Sequence, residues 1–476
     1  MTSRFLCVHA HFYQPPREDP LTGVIPVEAG ASPYRNWNER IHTECYRSNA
    51  ELGNFTKISF NIGPTLFSWM ESYHPETVRE IIAQDQENLS TFGVGNAIAQ
   101  AYNHTILPLA SYQDKVTQVV WGIREFEHRF GHKPLGMWLP ETAVDIETLS
   151  VLASCGIEFT ILAPWQVHPD NPDVTHPYSI HLPNNQKITI FLYHAGLSGG
   201  ISFNPALTVD ADHFANHELS QQFDPGRVDR SGPQLIILAS DGELYGHHQP
   251  LRDHFLARLV NGASHLAGLA PIYPALWLKN YPPKHTIIVK EDTSWSCHHG
   301  VSRWNQGCEC TRGDSTWKTL LRRAFDHLSQ KLDQHYLRFV SPHIADPWEL
   351  RNRYIDVTLG LMPVDELVAQ MAGRRLAAET VTPIHLLLDA QRERQRMYTS
   401  CGFFFEDFDR IEPINNLAYA AQAARLMKLA TGVDLAPTIM ADLHQVISQR
   451  TGLRGDVVFL RHLQRADLDG RIIAGD

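Results

Sequence analysis

The sequence predicts an α/β domain of the barrel type followed by an α-helical domain. Over the first 300 of the 476 residues, short apolar runs alternate with helical stretches. Such alternation is typical of parallel strands joined by helical crossovers. Beyond that point the chain becomes strand-poor, and prolines stand at the head of most helical segments. We therefore expect a barrel-like domain over residues 1–300 and a helical domain over residues 301–476.

The elements follow from hydrophobic periodicity. Strands are predicted at residues 5–8, 57–62, 135–139, 159–162, 188–193, 234–239 and 285–289. Helices of the first domain are predicted at residues 42–55, 75–89, 111–130 and 145–154. Helices of the second domain are predicted at residues 315–334, 347–362, 363–378, 383–398, 413–430 and 437–449.

Composition and charge narrow the class of partner. Hydrophobic residues make up 43% and charged residues 20% of the chain, which is an ordinary globular profile. Lys+Arg 41 against Asp+Glu 52 gives a net charge of −11, which disfavours binding to nucleic acid or to an anionic membrane. The seven cysteines are scattered and odd in number, and we see neither a signal-peptide core nor a membrane-spanning stretch. We expect a cytoplasmic protein with free thiols and a neutral or polyhydroxylated substrate.

Four polar segments directly follow apolar strands, where a parallel β/α barrel places its reactive groups. The first contains His9, His11 and Gln14, and the two-residue period of a strand puts both imidazoles on one face. The second ends in Glu141, three residues after Trp138. This acid is interpreted either as a reactive group beside an aromatic wall or as a favourable charge at the start of a helix.

The third segment delivers Asp241 into a glycine-flanked turn, with Glu243, His247 and His248 close behind. The alternative for this segment is a solvated surface loop. Two strand-end carboxylates on different strands, here Glu141 and Asp241, are what glycoside hydrolysis requires. One acts as nucleophile or base and the other protonates the leaving oxygen.

The fourth segment is rich in thiols and rings. It contains Trp295, Cys297, His298, His299, Cys308 and Cys310. The cysteines and histidines are zinc ligands by type. Their spacing matches none of the common finger or ribbon patterns, so we predict no metal and expect the rings to line a sugar-binding groove.

In this order, the segments resemble the motifs of glycoside hydrolase family 57. Residues 9–15 resemble its His-x-His…Gln-Pro element with two residues inserted, and residues 93–100, followed by His104, resemble its glycine-led motif. The Trp-centred motif that ends in an acid, the second acidic motif and the His-Gly motif are similar to residues 138–141, 240–243 and 299–300. Where many members carry an acid and a Tyr-Trp pair before that His-Gly, this chain has Trp295 and Cys297-His298. The helical half resembles an accessory domain of unknown function found in one branch of the family.

The resemblance implies an incomplete (β/α)7 barrel, a helical bundle and a retaining enzyme that acts on α-glucans or maltooligosaccharides without a cofactor. It implies that Glu141 is the nucleophile and Asp241 the acid/base. Implied sugar-binding residues are His9, His11, Gln14, His104, Trp138, Glu243, His247, His248, Trp295 and His299. Water as acceptor implies an α-amylase, and a glucan hydroxyl implies a 4-α-glucanotransferase or a branching enzyme.

Two other classes of protein stay open. A metal-dependent polysaccharide deacetylase would explain the 26 histidines. It needs an acid pair near the first strand, which is missing, and a His-x-x-x-His element. The pairs His128/His132 and His213/His217 have that spacing, but neither directly follows an apolar strand. A non-catalytic carbohydrate-binding protein on the same barrel has no need for two converging acids.

Overall fold

The computed structural model describes the backbone of residues 3–224 and 232–474. Contacts within the chain divide it into two compact units. The first comprises the described residues of Met1–Pro16, Val27–Tyr102 and Glu125–Trp295, and the second those of Arg17–Pro26, Asn103–Arg124 and Ser296–Asp476. The sequence analysis had placed both early segments of the second unit in the first domain.

The strands of the described chain all lie in the first unit. In chain order they are β1 (Arg4–Phe12), β2 (Ser59–Ile62), β3 (Ala99–Gln100), β4 (Met137–Trp138), β5 (Phe159–Leu162), β6 (Val167–His168), β7 (Tyr178–His181), β8 (Lys187–Leu192), β9 (Gln234–Asp241), β10 (Ala270–Pro271), β11 (His285–Thr286) and β12 (Ile288–Val289). The run predicted at residues 285–289 is two short strands that pair with different partners, β7 and β6.

Parallel pairing around β1 organises the first unit. β1 runs parallel to β9 on one side and to β10 and then β2 on the other. β3 pairs with β4 and β5 with β8, both in parallel, while β7 runs antiparallel to β8. The unit is therefore mixed α/β. Its ladders form four separate sheets among the described residues and do not form one closed barrel.

One face of β1 changes from apolar to polar side chains along the strand. Side chains alternate across a strand, so Phe5, Cys7, His9 and His11 share one face of β1. Cys7 belongs to a fully buried apolar cluster, and Phe5 packs against that cluster. Towards the carboxyl end of the strand, imidazoles replace the apolar groups. The sheet thus has an apolar base and a polar end, which is where a site is expected.

The helices of the first unit lie between its strands along the chain. They are Trp37–Ile41, Arg47–Glu51, Pro64–Tyr73, Pro75–Phe92, Ile146–Ser154, Ala195–Phe203, Ala211–His213, Arg252–Arg258, Ser264–Leu266 and Pro274–Asn280, with π-helical turns at His42–Tyr46, Phe214–Leu219 and Leu259–Ala263. The helix predicted at 42–55 begins earlier, because the side chain of Asn36 caps it by accepting a hydrogen bond from the backbone N–H of Glu39 at 3.0 Å.

The second unit is helical. The helix Tyr112–Phe130 belongs to it up to Arg124, and the C-terminal helices are Thr316–Val340, Pro347–Thr358, Val364–Ala372, Ala378–Arg396, Cys401–Phe404, Ile411–Thr431, Ala436–His444 and Gly455–Ala474. The helix predicted to begin at Pro383 in fact begins at Ala378, so that this proline lies inside it. The last helix carries no proline signal and was not predicted.

A buried ion-pair cluster explains why the segment around Asp114 belongs to the second unit. Oδ1 of Asp114 accepts hydrogen bonds from Nη1 of Arg394 at 2.8 Å and from Nε2 of Gln395 at 2.6 Å. Nη1 of Arg351 is 3.1 Å away. Burial opposes ionisation, but the two guanidinium groups outweigh it and hold the pKa of Asp114 well below its usual range. Asp114 and Arg394 are 280 positions apart in the sequence. A local sequence pattern therefore gives no sign of their contact.

None of the helices in the described part of the chain is apolar over a length sufficient to cross a membrane.

Candidate active site

Asp241 is the last residue of β9 and lies beside the end of β1. The parallel register pairs its Cα with that of His11. By strand alternation, its side chain points to the same face as Ile237 of the apolar cluster. It is exposed to solvent there. The chain then turns at Gly242, where a Cβ atom would overlap the ring of Phe12, so only glycine fits.

Glu141 lies in a strained turn after β4. Its φ is 56° and that of Thr142 is 48°, a left-handed conformation that costs a residue with a Cβ of order 1–3 kcal/mol. The turn is closed by the N–H of Thr142, which donates to the carbonyl of Leu139 at 2.8 Å. The hydroxyl of Thr142 donates to Oε1 of Gln166 at 2.8 Å, and the N–H of Trp295 donates to the carbonyl of Glu141 at 3.0 Å. One bond within the turn and two bonds to distant segments, at Gln166 and Trp295, therefore hold this backbone in place.

The carboxylate of Glu141 lies against aromatic rings. Nε1 of Trp295 donates to its Oε2 at 3.1 Å. The ring of Trp295 packs edge-on against Trp138, with centroids 5.0 Å apart, and against Tyr193 at 6.3 Å. Trp138 is fully buried beneath it. The indole N–H fixes one oxygen of the carboxylate and so limits its rotation.

Two neutral imidazoles stack on Trp138. The ring centroid of His9 is 4.7 Å from that of Trp138, and that of His11 is 5.0 Å away. Nδ1 of His9 is 3.0 Å from Oγ of Ser59, and Nδ1 of His11 is hydrogen-bonded to the side-chain amide of Asn61. Burial lowers the pKa of His9 to about 3 and that of His11 to about 4. Neither ring carries a charge at neutral pH.

The two carboxyl groups influence each other. The surrounding protein, and after it the negative charge of Glu141, raise the pKa of Asp241 to about 7. The side chain of Asp241 is accessible to solvent at the end of β9, but the surrounding protein displaces much of the water that would stabilise its charge. About half of the Asp241 carboxyl groups are therefore protonated at neutral pH.

Glu243 lies deeper than Asp241. It is 3% exposed. Its Oε1 accepts hydrogen bonds from the hydroxyl of Tyr46 at 2.8 Å and from the N–H of Tyr13 at 3.1 Å. Burial is the main reason that the pKa of Glu243 rises to about 8, and the charge of Asp241 contributes as well. A carboxyl group held in this way supports the loop 13–16 from below.

The remaining predicted residues of the first unit have partners of their own. Nδ1 of His247 is 2.6 Å from Oε2 of Glu44, and the exposed His248 lies beside it with ring centroids 4.8 Å apart. Gln14 is partly exposed, and its carbonyl accepts a hydrogen bond from the hydroxyl of Thr65.

His104 and His299 belong to the second unit. His104 is buried, with its Nδ1 2.6 Å from Oγ of Ser400. His299 is exposed, and its Nδ1 lies 3.4 Å from Sγ of Cys310.

The structure thus brings a subset of the predicted residues together. The connected group is His9, His11, Trp138, Glu141, Asp241 and Trp295. The sequence analysis missed Tyr193, which directly follows β8, and Trp165, which follows β5 and is 41% exposed. Tyr193 is the last residue of the strand predicted at 188–193, and the strand-end rule that found Glu141 would have found only Trp165. It would not have found Tyr46, which lies in a helical segment.

The chain belongs to glycosyl hydrolase family 57, whose family model matches residues 8–287. Residues 314–475 match a domain of unknown function, DUF3536. Over 203 residues the chain is 26% identical to α-amylase 1 of Dictyoglomus thermophilum. That match covers 40% of this chain and only about a quarter (26%) of the length of the relative.

Solved structures show the same fold. An exo-type maltose-forming amylase from Pyrococcus sp. ST04 superposes with a TM-score of 0.75 at 16% identity, covering 96% of this chain and 88% of its own. A branching enzyme from Thermococcus kodakaraensis gives a TM-score of 0.61 at 16% identity, with coverages of 98% and 94%. An α-amylase from Thermotoga maritima gives 0.60 at 14% identity, with coverages of 96% and 99%.

Proposed function

We propose that the protein is a retaining glycoside hydrolase or transglycosylase that acts on α-glucans. The observation that carries this proposal is the pairing of Glu141 with Asp241 at the polar end of the sheet, with the pKa of Asp241 raised to about 7. Two carboxyl groups with different ionisation serve the two roles that a retaining mechanism needs.

In the first step, a carboxylate oxygen of Glu141 attacks the anomeric carbon. The bond from that carbon to the leaving oxygen breaks, and protonated Asp241 transfers its proton to the departing oxygen. In the second step, ionised Asp241 removes a proton from the acceptor hydroxyl, whose oxygen displaces Glu141 from the anomeric carbon. The protein ends in its starting protonation state.

The side chains around Glu141 and Asp241 suit a polyhydroxylated ring. Trp295 and the 41% exposed Trp165 offer aromatic surface for the apolar face of a sugar, and the buried ring of Tyr193 packs behind both. The imidazole of His11 is neutral, so it can form hydrogen bonds with sugar hydroxyls without placing a charge beside them. The substrate class comes from the relatives, because an α-amylase, a maltose-forming amylase and a branching enzyme share this fold.

The seven-strand barrel is part of the same proposal. Isolated parallel bridges join Phe60 to Ala97 and Gly136 to Phe159, which puts β2 beside β3 and β4 beside β5. The N–H of His194 donates to the carbonyl of Ile237 at 2.8 Å. These contacts support a barrel-like strand order of β9, β1, β2, β3, β4, β5 and β8. The barrel is incomplete, because isolated bridges instead of continuous hydrogen-bond ladders join some neighbouring strands.

Neither alternative class is retained. In the deacetylase candidates, His132 is hydrogen-bonded to Asp85 at 2.7 Å, and His213 and His217 are exposed on a helix. None of these histidines belongs to a metal-type cluster among the described residues. A non-catalytic binding protein does not account for the strained turn that fixes Glu141 near Asp241.

Product analysis tests the proposed function. We expect incubation with amylose and with short maltooligosaccharides to give new glucans, either shorter, redistributed in length or branched, and we expect the Glu141→Gln variant to give none. Chromatography of the products and their linkage analysis separate hydrolysis, chain transfer and branching. No new products from any α-glucan would contradict the assigned substrate class.

Trp295 is expected to contribute to catalysis through its bond to Glu141. Trp295→Phe keeps most of the ring but removes the N–H donor, which in a bond to a charged group is worth about 1.5–3 kcal/mol. We expect kcat to fall by roughly 10–100-fold with a smaller change in KM. Trp69→Phe is the control, because its ring packs against Tyr73 and His74 and does not belong to the group around Glu141. Equal losses of kcat in the two variants would contradict this role.

A further inference from the structure

Three thiols and one imidazole converge in the second unit. Sγ of Cys297, Cys308 and Cys310 and one ring nitrogen of His299 all lie within 4.8 Å of one another. Sγ of Cys297 is 3.4 Å from that of Cys308 and 3.8 Å from that of Cys310. Nδ1 of His299 is 3.4 Å from Sγ of Cys310 and 4.0 Å from Sγ of Cys297. The sequence analysis assigned no metal to these residues, because their spacing is unlike common zinc motifs.

We propose that Cys297, His299, Cys308 and Cys310 bind one structural zinc ion. Zinc takes thiolates at ~2.3 Å and imidazole nitrogen at ~2.0–2.1 Å in a tetrahedron, which places sulfurs ~3.8 Å apart and sulfur ~3.6 Å from nitrogen. Four of the six separations, from 3.4 to 4.0 Å, depart from these values by less than about 0.5 Å, and the other two are within 4.8 Å. Four protein ligands fill the tetrahedron, so the site has no open position for a substrate.

A disulfide does not explain the cluster as well. A bridge would join two of the three sulfurs at ~2.05 Å and leave the third sulfur and the imidazole without a function. All the cysteines in the described chain are free. The convergence of an imidazole with three thiols is the pattern of a Cys3His zinc site.

Basic side chains surround the cluster. Nη2 of Arg303 donates to the carbonyl of Cys310 at 3.4 Å. Lys318 is fully buried and interacts with the charges of Cys297 and Cys308. Zinc with three thiolates and a neutral imidazole carries one net negative charge. These two cations offset that charge, as outer partners of metal sites commonly do.

The zinc site has a structural task. Between β12 and the helix Thr316–Val340 the chain forms little regular structure besides a short turn at Ser302–Trp304. Loops longer than about 12–15 residues with no secondary structure of their own are uncommon in a compact domain. This loop also supplies core side chains, since Trp304 is fully buried and Arg303 lies 4.3 Å over the ring of Phe404. A metal ion would fix the loop that carries them.

Zinc content tests the proposal without any activity assay. We expect the full chain, produced in zinc-supplemented medium and desalted, to hold one zinc per chain by plasma mass spectrometry. X-ray absorption should show three sulfur neighbours and one nitrogen neighbour. We expect Cys308→Ser and Cys310→Ser to lower the zinc content at least tenfold and Cys155→Ser, a cysteine of the first unit, to leave it unchanged.

The wild-type protein decides the matter even if the variants fail to fold. Replacing zinc by cobalt should give a thiolate-to-cobalt charge-transfer band and the strong visible bands of a tetrahedral ion. Absence of stoichiometric zinc, or a coordination shell without sulfur, would overturn the proposal. So would five titratable thiols instead of seven in the denatured, unreduced protein, since that count indicates a disulfide. None of these readouts depends on the proposed glycosidase function.

Discussion

Glu141→Gln is expected to lower kcat on maltooligosaccharides by about 10⁴–10⁶-fold, the range found when a catalytic nucleophile or its partner is removed. The amide is nearly isosteric with the carboxylate, and its oxygen can still accept the hydrogen bond of Trp295. It has no negative charge with which to attack the anomeric carbon. We therefore expect an unchanged melting temperature together with the loss of turnover, as measured by initial rates of product release.

An exposed glutamate provides the matched control for this prediction. Glu158→Gln makes the same chemical change on the surface, and we expect kcat to stay within a factor of two. Glu141→Ala with added azide probes the role of Glu141 directly. Azide can enter the vacated space and attack the anomeric carbon, so a glucosyl azide of inverted configuration is expected. A Glu141→Gln variant with substantial turnover would remove Glu141 from the position of nucleophile.

The candidate residues Glu141 and Asp241 could be proposed from the sequence because strand ends leave a local signal. Asp241 follows the apolar run 235–239 after one serine, and Glu141 follows a shorter run that contains Trp138. A run of that kind marks a buried parallel strand, and the first polar residue after it lies at the reactive edge. The two-residue period of a strand also put His9 and His11 on one face, whereas the pairing of His11 with Asp241 comes from the strand register of the structure.

Sequence alone could not assign the supporting residues. Glu243 was expected to bind sugar, yet its oxygen accepts bonds from Tyr46 and Tyr13, which lie about 200 residues away along the chain. The four metal-type residues were visible as residue types, but only folding of the loop shows that they converge. Contacts distant in sequence also assign Asp114 to the second unit. Periodicity reports local structure, and these features depend on tertiary contacts.

Asp241→Asn is expected to lower kcat on natural glucans by about 10²–10⁴-fold, the usual contribution of general acid–base catalysis. The pH profile is the sharper measurement. The pKa of Asp241 is raised to about 7, so the protonated acid predominates below that pH and is lost as the pH rises through it. The kcat/KM of the wild type should therefore fall about tenfold per pH unit above 7.

Variants and substrates can separate this acid from its neighbours. An α-maltosyl fluoride needs no proton on its leaving group, so Asp241→Asn should form the glycosyl-enzyme from it almost as fast as the wild type. Asp170→Asn, at an exposed ion pair with Lys290, is the control and should leave the profile unchanged.

Glu243, whose pKa is about 8, titrates in a neighbouring range. Glu243→Gln should therefore keep the fall near pH 7 if Asp241 is the acid. If that fall disappears in Glu243→Gln and persists in Asp241→Asn, Glu243 rather than Asp241 supplies the proton.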